Sequence, residues 1–125
     1  MQRPLLFILF LTAGHAEETL LGMSNEVNHY MGIALEKAQE AGMNNEVPVG
    51  AVLVNGETGN IVSAAGNLTE SFSDPTAHAE LLVIREGGKM LGVPRLVGCD
   101  LYVTLEPCPM CAQAISLARI RRLYF

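Results

Sequence analysis

The sequence predicts an α/β domain: a mixed sheet that begins as an antiparallel hairpin, continues with parallel strands, and carries helices on its faces. Three observations predict it. A helix-period segment opens the patterned part of the chain at residues 25–41. Two β-rich runs, 47–54 and 61–65, follow around a turn. Strand and helix patterns then alternate to the end of the 125 residues.

In the first segment Val27, Tyr30, Met31, Ala34, Leu35, Ala38 and Ala41 recur at helical spacing, with Glu26, Glu36, Lys37 and Glu40 opposite. Asn25 is a suitable N-cap and Gly42 a suitable C-terminal stop. Val47 to Val54 is rich in β-branched residues, and Asn55-Gly56-Glu57-Thr58-Gly59-Asn60 is turn chemistry, so Ile61–Ala65 returns as the second strand of a hairpin. Gly66–Ser73 reads as a loop. Asp74-Pro75 reads as the cap and first position of a second helix that reaches about Met90. Residues 91–99 form a loop, Asp100–Leu105 a third strand, Pro109–Ala118 a third helix, and Arg122–Phe125 the start of a fourth strand.

At this length the chain holds one domain, and its apolar, tryptophan-free composition excludes disorder. The net charge of −5 is unevenly spread. Residues 1–84 carry ten acidic against two basic side chains, and residues 85–125 carry three against six. Arg119, Arg121 and Arg122 therefore raise two readings, a phosphate-binding face or a solvated helix end running into a strand. Cys99, Cys108 and Cys111 make no disulfide framework, which would need an even set. The apolar run Pro4–Ala13 is too short to span a membrane. With Arg3 before it and Gly14-His15-Ala16 after it, the first 16 residues are weakly signal-like. A start at Met23 is the competing reading, with residues 1–22 as an extension and 23–125 as the domain.

Chemistry concentrates in two places, His78-Ala79-Glu80 and Glu106-Pro107-Cys108-Pro109-Met110-Cys111. One imidazole and two thiolates suit Zn2+ and leave a fourth coordination position open, the catalytic arrangement. Both motifs sit at expected helix starts, where the dipole favours thiolate. Glu80 lies two residues from His78, so the two side chains point apart, and Glu80 is freed to act as a general acid/base. A lone C-x-x-C also fits a redox dithiol or half of a structural zinc ribbon, although a ribbon needs a second pair.

The pair of motifs matches the H-x-E…P-C-x-x-C signature of zinc nucleobase deaminases. Over about residues 26–125 the chain closely resembles bacterial tRNA adenosine deaminases, in the cytidine/deoxycytidylate deaminase superfamily. The resemblance rests on Glu46–Val52, Asp74–Glu80 and the stretch LYVTLEPCPMC from Leu101 to Cys111. It implies the three-layer α/β/α cytidine-deaminase-like fold, one Zn2+ per subunit held by His78, Cys108 and Cys111, and Glu80 as proton shuttle. It implies that Asn67, Val47, Ala79 and Pro107 border the substrate nucleoside. The reaction implied is hydrolysis of a tRNA wobble adenosine to inosine, with the anticodon loop as partner, in a cytoplasmic homodimer without membrane attachment. Asn67 also has a plain reading as a turn residue after Gly66. Gln113 departs from the small residue usual in that family. The resemblance further implies a C-terminal strand and helices beyond Phe125, and hence a truncated domain of doubtful activity. Guanine deaminases, with nearly the same two motifs, are the alternative within the superfamily, and a secreted dithiol or structural zinc-binding module is the alternative outside enzymology.

Overall fold

A computed structural model describes residues 8–10 and 20–125. The elements are β1 (Ile8–Phe10), α1 (Leu20–Met43), β2 (Gly50–Asn55), β3 (Ile61–Gly66), α2 (Ala79–Leu91), β4 (Cys99–Val103), α3 (Pro109–Leu117) and β5 (Arg122–Tyr124). Among the described residues the sheet order is β1-β5-β4-β2-β3. β2 pairs antiparallel with both β3 and β4, β4 and β5 run parallel, and β1 lies antiparallel to β5. The mixed sheet, its opening hairpin and its later parallel pair are those the sequence predicts. Most of the signal-like segment lies outside the described residues.

Strand periodicity builds the three layers. Side chains two apart along a strand share a face. Val52, Val54, Tyr102 and Tyr124 face α1 and pack on Val27, Met31 and Ala34, which recur at helical spacing. Ala51, Leu53, Leu101, Val103 and Leu123 face the other way, onto Ala79 and Val83 of α2 and Ile115 of α3. The sheet is thus covered on both sides. α1 approaches β2 so closely that a Cβ on Gly50 would collide with the backbone of Ala34. Glycine is needed there for contact, since its backbone is ordinary extended chain.

Several expected boundaries move. α1 begins at Leu20, so Asn25 is inside the helix and caps nothing. Gly42 is also helical, and Asn45 takes the left-handed conformation after the helix, with φ 60°. β2 starts at Gly50 because Pro48 has no N–H to pair and the Val49 N–H turns back to the Val47 carbonyl. The largest correction concerns α2, which starts at Ala79 and not at Asp74-Pro75. Asp74 spends its carboxylate on the Thr76 N–H and hydroxyl, at 2.8 and 2.7 Å. The chain then extends at His78, with ψ 148°, before the helix begins. Asp74 therefore caps a local turn. At its other end α2 runs through Gly87-Gly88 and stops at Gly92, which is left-handed at φ 68°. No helix among the described residues is long and apolar enough to cross a membrane.

Candidate metal centre

The two motifs meet at one end of the sheet. β4 delivers the chain to the loop that ends in Cys108, the N-cap residue of α3, and Cys111 follows in the first turn. His78 is the N-cap residue of α2. Two helix starts therefore converge, as the strand–loop–helix pattern predicts. The His78 Nδ1 lies 3.7 Å from the Cys108 sulfur and 3.6 Å from the Cys111 sulfur. All three ligand atoms fall within 4.8 Å of one another.

These distances suit a tetrahedral ion. Zn–S bonds of about 2.3 Å and a Zn–N bond of about 2.0–2.1 Å put sulfur and nitrogen about 3.5–3.6 Å apart at a tetrahedral angle. Donor chemistry agrees. Burial, and next the Glu80 carboxylate, push the Cys111 thiol far above its ordinary range. Against these penalties the helix dipole alone is too weak to hold a thiolate. A helix N-terminus offers about 0.3–1 kcal/mol to a negative group, which a buried site beside a carboxylate overrides. A thiol so placed gives up its proton when a cation offsets both penalties. The residues present fit a resident zinc ion.

Glu80, one residue into α2, is 4 % exposed, and its carboxylate is near enough to raise the Cys111 thiol. It lies outside the three-donor cluster, in keeping with its two-residue offset from His78. Asn67 is buried where β3 ends, and its Oδ1 accepts the Ala79 N–H at 2.9 Å. Its own N–H donates to the Val49 carbonyl at 3.0 Å. Asn67 is thus more than a turn residue, because it supplies the acceptor for the first amide of α2, where His78 makes no capping bond. Ala79 is fully buried, Pro107 is half-buried, and Val47 is exposed in the segment leading to β2. Thr104 joins the same end of the sheet by donating its N–H to the Gly50 carbonyl at 3.0 Å and accepting the Gly50 N–H on its hydroxyl at 3.1 Å.

The sequence reading assigned no role to Glu46. It is 5 % exposed, and its carboxylate accepts the N–H groups of Glu70 and Ser71 and the Ser71 hydroxyl, at 3.1, 2.8 and 3.1 Å. A glutamate before an apolar run carries no mark of burial in sequence, since the donors it meets are 24 and 25 residues away.

Arg119, Arg121 and Arg122 form no common basic face. Arg119 is exposed at the end of α3, with φ 60°. Arg121 makes a bidentate pair with Asp100, and Arg122 is 8 % exposed within β5. All three lie at the end of β4 and β5 away from His78.

Comparison with known proteins agrees with this geometry. Residues 24–125 match the cytidine and deoxycytidylate deaminase zinc-binding region, and the chain belongs to that family. It is 56 % identical over 100 residues to the tRNA-specific adenosine deaminase of Agrobacterium fabrum, covering 80 % of this chain and 64 % of that protein. It is 47 % identical over 97 residues to the Aquifex aeolicus protein of the same name, covering 78 % and 63 %. A solved structure from studies of A-to-I editing by tRNA:A34 deaminases at the wobble position of transfer RNA superposes with a TM-score of 0.72 at 55 % identity, covering 74 % of this chain and 66 % of that one. A guanine deaminase structure from Bacillus subtilis gives the same TM-score at 39 % identity, covering 75 % and 59 %. The chain spans less than two thirds of the length of the first of these curated relatives, from 64 % down to 54 %.

Proposed function

We propose that this chain carries the active centre of a zinc-dependent deaminase that converts adenosine to inosine at the wobble position of a tRNA anticodon. The observation that carries the reading is the convergence of His78, Cys108 and Cys111 at 3.6–3.7 Å beside the buried carboxylate of Glu80. Identity of 56 % to a tRNA-specific adenosine deaminase, against 39 % to a guanine deaminase, favours the tRNA substrate. The deaminase domain in this reading is 23–125, to which β1 (Ile8–Phe10) adds an edge strand and residues 20–22 the first turn of α1.

His78, Cys108 and Cys111 hold the ion, and zinc so bound supplies Lewis-acid activation of water near neutral pH. Glu80 then does the proton work. It takes the proton of the water that adds to the ring carbon bearing the exocyclic amine. It passes that proton to the ring nitrogen, where it stays, and then carries the remaining proton of the added hydroxyl to the amine, which leaves as ammonia. A carbonyl remains in place of the amine, which is inosine. Asn67, Val47, Ala79 and Pro107 border the base. An adenosine in an anticodon loop is not held in a duplex, so its extrusion into such a site costs little. The acting form in this reading is a cytoplasmic homodimer.

The test is inosine formation in a tRNA anticodon stem-loop by zinc-loaded chain and by Glu80→Gln. The expected outcome is full zinc content in both and a roughly 10²–10⁴-fold lower turnover in the variant. A wild-type chain that leaves the stem-loop untouched while releasing ammonia from free guanine would move the reading to the guanine enzymes.

A further inference from the structure

We propose that Glu46 is a positioning residue for this site, acting through the loop of residues 67–78 on Asn67 and on the first amide of α2. Its kinetic consequence rests on the deaminase reading above; its structural consequence does not.

Glu46 stands on a fixed base. Its own N–H donates to the Ala41 carbonyl at 3.0 Å, which ties it to the end of α1 just after the left-handed turn at Asn45. From there its carboxylate reaches across to the loop and takes two successive backbone amides and the Ser71 hydroxyl. A buried carboxylate is costly unless donors surround it. Here two consecutive loop residues supply them. Burial raises the carboxyl of Glu46, and these hydrogen bonds outweigh it, so the group remains an anion.

The same loop carries the site wall. Three residues before Glu70 stands Asn67, and the two side chains of Glu46 and Asn67 line one cavity of about 260 Å³. The loop closes on itself where the Leu68 N–H meets the Ala77 carbonyl at 3.0 Å, one residue before His78. Asn67 then crosses to the Ala79 N–H. His78 offers that helix start no capping bond, so the direction of the first turn, with His78 before it and Glu80 within it, depends on Asn67 being held in place. Glu46 is what anchors the far side of that loop. It touches none of the three converging donors, which makes it a positioning group.

The experiment uses the zinc-loaded full chain with Glu46→Ala, Glu46→Gln and Ser71→Ala. Amide hydrogen exchange reports on the coupling without any turnover. Glu46→Ala is expected to speed exchange at Glu70, Ser71 and, through Asn67, at Ala79 by roughly tenfold, with zinc content and protection in β4 unchanged. Glu46→Gln, which keeps one acceptor oxygen, falls between that and wild type, and it decides the matter if Glu46→Ala does not fold. Ser71→Ala, which removes only the hydroxyl bond, has the smallest effect. On the stem-loop, Glu46→Ala is expected to lower kcat/KM roughly tenfold, with part of the loss in kcat because Glu80 stands in the turn that Asn67 holds. Faster exchange at Glu70 and Ser71 with Ala79 unaffected overturns the proposal, as does loss of zinc together with β4 protection. A wild-type chain that does not deaminate the stem-loop defeats the preceding reading, and exchange at Ala79 still decides this one.

Discussion

The two ends of β4 make an instructive pair. At its start, Asp100, Arg121 and the tyrosines Tyr30, Tyr102 and Tyr124 line a cavity of about 140 Å³. This end is rich in polar groups, and they answer one another. Arg121 holds Asp100 through two bonds of 2.9 and 2.7 Å, the Tyr30 hydroxyl donates to the Gly59 carbonyl, and Tyr102 stacks on Tyr124 at 4.5 Å. At the other end, past Val103, three soft donors crowd together at distances suited to an ion, beside a buried carboxylate. The cleft lined by more polar groups is the self-satisfied one. A candidate site is recognised by groups that need something further, more than by the space around them.

The comparison can be broken experimentally, most severely at the metal end. Cys111→Ser removes one of three ligands and is expected to weaken zinc binding by more than the roughly 100-fold that losing an outer partner can cost. Metal content after dialysis against a chelator checks this, and retention of wild-type zinc would dissolve the distinction between the two ends. At the opposite end, Arg121→Ala strands the Asp100 carboxylate, which is 5 % exposed. Breaking a buried pair costs about 3–5 kcal/mol, and the partial exposure of Arg121 reduces this to about 2–3 kcal/mol. Urea denaturation of the zinc-loaded chain measures it. Zinc content should not change, because β4 separates the pair from His78. Tyr102→Phe is the mildest probe. It deletes one buried hydroxyl and keeps the stacked ring, so the expected loss is about 0.5–1.5 kcal/mol in the same denaturation, with no effect on metal binding. A loss of zinc in either far-end variant would show that the two ends are energetically one.

How much of this was legible in the sequence follows the range of the interactions. The paired motifs His78-Ala79-Glu80 and Cys108–Cys111 announce the metal centre because its donors lie within two short segments and each segment starts a helix. The order of helix, hairpin and alternating strands is legible for the same reason, since hydrophobic period is a local property. The start of α2 was misjudged because Asp74 satisfies both a helix-capping pattern and a single-turn pattern. Only the extended backbone at His78 separates the two. At Cys111 the helix dipole is readable from helix position, while burial is not.

By itself the sequence determined the donor set and the layer pattern, because residue type and spacing carry them within one or two turns of chain. Tertiary structure alone decided which polar residues are spent on the fold. It spends Arg121 on Asp100, and it spends Glu46 on a loop 24 residues further along. It turns Asn67 toward the amide of Ala79. These are pairings between distant segments, and a side chain's burial and partners depend on what the whole chain brings to it.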